Sequence, residues 1–202
     1  MEFDETLRRK LVQAVAATVV AHSEELTGLD QAIGDGDHGL NMKRGAQAIQ
    51  AKLPELAHQV LNDALKVMGM TCISTIGGSS GPVFGTLLVT LAKELPVDPS
   101  SADLARALDA AIGALKKLGR VDVGQKTLLD VLAPVQIVLA NHGNDTDLVA
   151  RVRQCASDSA EATAQIPAVK GRSSFMGARA LGHVDPGSRS MSLIIGRLCD
   201  HF

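Results

Sequence analysis

The run Leu29-Asp30-Gln31-Ala32-Ile33-Gly34-Asp35-Gly36-Asp37-His38-Gly39 supports two incompatible readings. Gly34, Gly36 and Gly39 spell G-x-G-x-x-G at the opening of a helix, the fingerprint of a dinucleotide-binding α/β fold. That fold needs a β-strand directly before the motif, and no alternation of period two persists there or elsewhere over a strand's length. Asp35 and Asp37 would also face the pyrophosphate, and a like-charge pair about 4 Å apart costs about 4 kcal/mol at an effective dielectric of about 20. The run is therefore an acidic turn in an all-α chain, and phosphate reaches it only through a metal.

Working outward, Leu7, Leu11, Val15 and Val19 follow Phe3 at helical period, with Arg8, Arg9, Lys10 and Gln13 between them, giving a first helix. Residues 23–37 break the pattern and read as a loop carrying chemistry. A second helix is expected from His38 to Leu53, ended by Pro54, and a third from near Val60 to Ile76. A fourth holds Pro82 in its first turn, and a fifth has Ser101 as N-cap and Gly119 as its stop. A sixth, from Thr127 to about Asn141, contains Pro134 and is expected to kink there. A seventh covers Asp147 to about Gln165. Residues 167–188 read as a mobile or ligand-ordered segment, followed by a last helix to the C-terminus. The expected fold is a single all-α domain of about eight helices over residues 1–202.

Composition agrees. The 202 residues fit one domain and bury about 70% of the surface of the unfolded chain. Four Phe, no Trp and no Tyr leave few stacking platforms, and 20 basic against 22 acidic side chains make no footprint for nucleic acid. Cys72, Cys155 and Cys199 show no metal or disulfide spacing, which suits free thiols in a reducing cytoplasm. No stretch approaches the ~20 apolar residues of a membrane span, so no membrane partner is expected.

Three clusters can do chemistry. Asp30, Asp35 and Asp37 offer oxygens to a hard cation such as Mg²⁺ or Ca²⁺, though the same run also reads as a solvated acidic loop with helix-capping Asp. Gly77-Gly78-Ser79-Ser80-Gly81 places backbone N–H groups and two hydroxyls at the start of the fourth helix, as an anion site or a plain flexible turn. Lys170-Gly171-Arg172 and Gly182-His183-Val184-Asp185-Pro186-Gly187-Ser188 carry a guanidinium suited to phosphates, or a solvated basic loop. Walker and protein-kinase signatures are absent.

In this order the clusters resemble the L subunits of dihydroxyacetone kinase, through TGLDQAIGDGDHGLNMKRG, GMTCISTIGGSSGPVFGTLL, GQKTLLDVLAPV and KGRSSFMGARALGHVDPGS. The resemblance implies a barrel of eight antiparallel helices holding ADP or ATP at one end through two Mg²⁺ ions. It assigns Asp30, Asp35 and Asp37 to the metals. It assigns His38, Gly39, Leu40, Asn41, Ser79, Ser80, Gly119, Leu128, Arg172, Asp185, Pro186 and Gly187 to the nucleotide, with Arg172 catalytic. Most family members read G-D-K-T-M where this chain has Gly124-Gln125-Lys126-Thr127-Leu128.

The implied function is a relay in glycerol metabolism. A phosphohistidine on a phosphotransferase-system subunit passes phosphate to bound ADP, and the ATP formed phosphorylates dihydroxyacetone held by a partner kinase subunit. An alternative is an L-type subunit of an ATP-dependent kinase for dihydroxyacetone or another small ketose or sugar alcohol. From another class, a nucleotide-sensing module would bind a transcription factor and catalyse nothing.

Overall fold

A computed structural model describes residues 4–202. It holds α1 (Glu5–Ala21), α2 (Ser23–Ile33), α3 (His38–Ala51), α4 (Leu53–Ala57), α5 (Leu61–Thr75), α6 (Ser80–Glu94), α7 (Ser101–Gly119), α8 (Leu129–His142), α9 (Leu148–Ala162) and α10 (Pro186–Cys199). Two 3₁₀ segments, Thr163–Gln165 and Arg172–Ala180, lie between α9 and α10. No β-strand occurs among the described residues, which removes the α/β reading of the glycine motif. Phe3 lies outside the described residues.

Eight helices close a ring. α1 packs on α3, α3 on α5, and then each helix packs on the next through α10, which returns to α1. Short connections at 76–79, 95–100, 120–128 and 143–147 reverse the chain between neighbours, giving an antiparallel barrel. Met42, Phe84, Leu108, Ile112, Leu129, Val131, Val135 and Met191 of the ring helices, with Leu26 of α2, belong to one buried core. With small and aliphatic side chains making up nearly all of the core, the helices approach closely. A Cβ added at Gly85 would meet the Gly69 carbonyl at 2.8 Å, so these two glycines set the α5–α6 separation.

Two helices stand outside the ring, and both were missed by the sequence reading. Residues 23–33 form α2 rather than a loop: Leu26, Asp30 and Ile33 recur at helical spacing and are buried, which outweighs the roughly 1 kcal/mol that Gly28 costs a helix. Pro54 does end α3 near it, but also sits in the first turn of α4, where its missing N–H is harmless.

Several boundaries shift for identifiable reasons. Ser100, not Ser101, caps α7: the Asp103 N–H donates to Ser100 Oγ at 3.2 Å and the Ser100 N–H to Asp103 Oδ2 at 3.0 Å. Ser101 Oγ instead donates to the Gly143 carbonyl at 2.9 Å, tying α7 to the end of α8. Gly119 remains helical, and Arg120 takes the left-handed cap at φ 50°, its N–H on the Lys116 carbonyl. α8 starts at Leu129 because Asp130 turns its carboxylate back onto the N–H groups of Gly124 and, at 2.7 Å, Thr127. Pro134 lies inside α8, which continues as one helix. The last helix begins at Pro186, inside the stretch 167–188 read as a mobile segment, with Asp185 as N-cap.

Gly85→Val is expected to lower unfolding free energy by about 1–3 kcal/mol through overpacking against α5. Gly113→Ala, inside α7 with nothing within 4 Å of the new methyl, should raise it by about 0.5–1 kcal/mol. Urea denaturation of the two variants checks the pair.

Candidate functional site at one end of the barrel

Because the ring is antiparallel, the N-termini of α3, α6, α8 and α10 share one end with the C-termini of α5, α7 and α9. The turn 34–37 sits there. Carboxylate oxygens of Asp30, Asp35 and Asp37 come within 4.8 Å of one another. Asp30, buried on α2, accepts from the N–H of Asp37 at 2.9 Å and of His38 at 3.1 Å, so it serves the first turn of α3 from another helix. Gly36 carries φ 77° and turns the chain back. Gly39 lets α3 approach α2, since a Cβ there would strike the Thr27 amide nitrogen at 2.6 Å.

His38 joins three helix ends. Its Nε2 lies 2.7 Å from Ser190 Oγ and its Nδ1 3.1 Å from Ser80 Oγ. Ser190 Oγ donates to the Pro186 carbonyl at 3.0 Å, so it must accept from Nε2–H. Nδ1 then accepts from Ser80. Burial holds the imidazole below its ordinary pKa, partly opposed by Asp30 and Asp37, in keeping with this neutral tautomer. Asn41 is buried on the next turn against the Gly77 backbone: a Cβ at Gly77 would meet Asn41 Oδ1 at 2.7 Å. The glycine turn is thus in contact with the start of α3, directly after the aspartate turn.

The third cluster reaches the same place. Arg172, at the start of the second 3₁₀ segment, pairs with the Asp35 carboxylate. Asp185 caps α10, its Oδ2 accepting from the Ser188 N–H at 2.7 Å, and Ser188 Oγ donates to the Thr127 carbonyl at 2.9 Å. Burial pushes the Asp185 carboxyl up to about 6, with the Ser188 hydrogen bonds and nearby Lys126 opposing.

The structure therefore gathers Asp30, Asp35, Asp37, His38, Asn41, Ser80, Arg172 and Pro186. Ser79 is the N-cap of α6, and Gly187 is in the first turn of α10. Leu40 is 58% exposed, on a shallow groove with Thr27, Gln31 and Lys43. Leu128 is half-buried against the core, and it is the carbonyl of its neighbour Thr127 that accepts from Ser188 Oγ. Gly119 packs on Val121 and makes none of these contacts among the described residues.

Sequence reasoning missed Ser190 and gave Lys126 no role of its own. Ser190 is fully buried but carries no motif. Lys126 is 1% exposed and donates to the carbonyls of Thr163 at 2.6 Å, Ile166 at 3.3 Å and His183 at 2.6 Å. Burial lowers its pKa, while Asp185 and Asp130 oppose the shift. Gln125, at the departure from the family motif, accepts the Asp122 N–H at 3.1 Å and closes the turn before it.

Fold and site define a helical-barrel domain with an acidic turn and a basic 3₁₀ segment meeting at one end. The family model for the DAK2 domain matches residues 32–200. The chain is 39% identical over 183 residues to the ADP-binding subunit DhaL of the PEP-dependent dihydroxyacetone kinase of Escherichia coli K12, covering 87% of each. It is 34% identical to the DhaL subunit of kinase 1 of Listeria innocua, covering 96% of this chain and 95% of the relative. It is 32% identical to human triokinase/FMN cyclase, but spans only 33% of that protein. The dihydroxyacetone kinase of C. freundii solved with AMP-PNP and Mg²⁺ shares the fold at TM-score 0.77 and 22% identity, over 99% of this chain and 34% of that one. The chain belongs to the DAK2 domain family, with the DhaL-type subunits of dihydroxyacetone kinase.

Asp185→Asn keeps the α10 cap but removes a titrating group. With its folded pKa about 6 and the unfolded value near 3.8, the native state binds more protons between these limits, so wild-type stability falls as pH rises through them. Relative to Asp185→Asn, the wild type should lose about 2 kcal/mol from pH 4 to pH 6.5. Urea midpoints at the two pH values measure this; equal pH dependence in both proteins would contradict the buried-carboxyl assignment.

Proposed function

We propose that residues 1–202 form a single nucleotide-binding domain, the ADP-binding phosphotransferase subunit of a cytoplasmic dihydroxyacetone kinase. It takes phosphate from a phosphohistidine-bearing subunit and delivers it to dihydroxyacetone on a partner kinase subunit. The observation that carries this reading is the convergence of three carboxylates, three helix N-termini and one lid arginine. Support also comes from the naming of the DhaL relatives as ADP-binding subunits of PEP-dependent kinases.

Asp30, Asp35 and Asp37 fit a hard cation. Mg²⁺ holds oxygens at about 2.1 Å, so oxygens on opposite sides of one ion are about 4.2 Å apart, and a spread of up to 4.8 Å suits slight contraction or two ions sharing the cluster. Bound there, Mg²⁺ would neutralise the carboxylates and attract phosphate oxygens. The chain's own groups do the rest. Backbone N–H groups at Ser79, Ser80 and Gly81 offer donors to an anion at the positive end of α6. His38 holds Ser80 and α10 in register with the aspartate turn. Arg172 already reaches Asp35 from the lid, so its guanidinium lies where it can meet a phosphoryl group and stabilise the charge that develops in transfer. His38, Gly39, Leu40, Asn41, Leu128, Gly119 and the Asp185–Gly187 turn complete the nucleotide contacts in this reading.

The likeness to triokinase favours a second reading, in which the same domain serves an ATP-dependent kinase for a small ketose or sugar alcohol. Nucleotide that exchanges freely, and turnover with ATP without a phosphohistidine donor, would decide for it.

Arg172→Ala is expected to retain Mg–ADP binding within about threefold and to lower transfer in the reconstituted system by at least about 100-fold. Asp35→Asn should weaken Mg–ADP binding at least about tenfold in titration calorimetry. Intact transfer in the first variant removes the role given to Arg172, and unchanged affinity in the second removes the metal bridge.

A further inference from the structure

Lys126 occupies a position that neither anchors the core nor faces the aspartate turn. Its backbone is left-handed, φ 62°, a conformation that non-glycine residues rarely adopt. Its side chain is buried, and its ammonium spends all its donors on main-chain carbonyls. Those carbonyls are not neighbours in sequence. Thr163 and Ile166 stand where α9 gives way to the lid segment, and His183 stands where that segment returns to α10. One more bond closes the same neck: the Gly182 N–H donates to the Ala164 carbonyl at 2.8 Å.

Residues 167–181 are thus a loop whose two roots are drawn together by one buried cation, as in a compact surface loop with adjoining ends. Within it, Gly171 and Gly177 carry positive φ, and Phe175 is 88% exposed. The roots are fixed while most of the span is exposed, with Ala180 its one fully buried residue and α2 the helix it lies against. Arg172 is the residue of that span which reaches Asp35. The ammonium also sits at the carbonyl end of α9, where the helix dipole favours a cation. The polar surroundings of Lys126 form one connected set. Asp130 holds the turn that carries it, and Asp185 starts α10 with its N–H on Thr163 Oγ1 at 2.9 Å.

We infer that Lys126 is a positioning residue that clamps both roots of the 167–181 lid and thereby sets where Arg172 can reach. The inference rests on the transfer role proposed for Arg172, and it adds a control point remote from the nucleotide phosphates.

Lys126→Met fills the same channel without the three donors. Trypsin supplies a direct readout, since Lys170, Arg172 and Arg179 all lie on the lid. The variant should be nicked at these sites at least about tenfold faster than wild type, with cleavage elsewhere unchanged. Its turnover at saturating nucleotide should fall at least about tenfold, while Mn²⁺ affinity, measured by titration without nucleotide, stays within about twofold. Equal nicking and equal turnover in both proteins would overturn the clamp. If the variant does not fold, hydrogen exchange of the wild type decides: the Gly182 amide should be protected like the amides of α9, and exchange as fast as in 172–179 would overturn it. A wild type that is clamped but binds no Mg–nucleotide would sink the functional reading and leave the clamp standing.

Discussion

Three carboxylates within 4.8 Å of one another are the constraint around which this barrel end is arranged. Each pair of ionised groups at that separation costs about 3 kcal/mol at an effective dielectric of about 20. The structure answers with positive ends rather than with positive side chains alone. Asp30 draws two N–H groups from the first turn of α3, and Arg172 comes down from the lid to Asp35. The charge that remains is what a divalent cation would neutralise.

Antiparallel packing makes that answer possible. At this end the N-termini of α3, α6, α8 and α10 alternate with the carbonyl ends of α5, α7 and α9, and the aspartate turn is set against the N-terminus of α3, whose N–H groups serve Asp30 without a lysine. His38 converts the coincidence into a fixed geometry, because its two ring nitrogens serve Ser80 of α6 and Ser190 of α10 while its own N–H is held by Asp30. Lys126 does the complementary work at a helix carbonyl end, where a cation rather than an anion is favoured. Phosphoryl transfer asks a protein mostly for positioning and charge, and this end of the barrel is built from those two elements.

Most of the architecture was legible in the sequence. The eight ring helices each announce themselves through apolar residues at helical spacing, and the acidic turn through its glycines. α2 was hidden because Gly28 and the carboxylates around it imitate a loop, although Leu26 and Ile33 face the core. α4 was hidden because Pro54 reads equally as an end or a beginning. The left-handed Arg120 could not be read, since Gly119 beside it is the residue such a cap prefers. In the site, the three clusters were visible as local motifs. Their partners were not: Ser190 meets His38 across 152 positions, and Lys126 meets main-chain carbonyls, which carry no sequence signature.

The central claim is that the aspartate turn holds nucleotide through divalent metal. Native mass spectrometry of the purified chain, before and after chelation, tests it most directly. The account predicts added mass equal to ADP with Mg²⁺, two ions at full occupancy, lost on chelation and regained when both are restored. A chain that stays bare when supplied with Mg²⁺ and either ADP or ATP would contradict it and leave the three carboxylates as helix caps and surface charge.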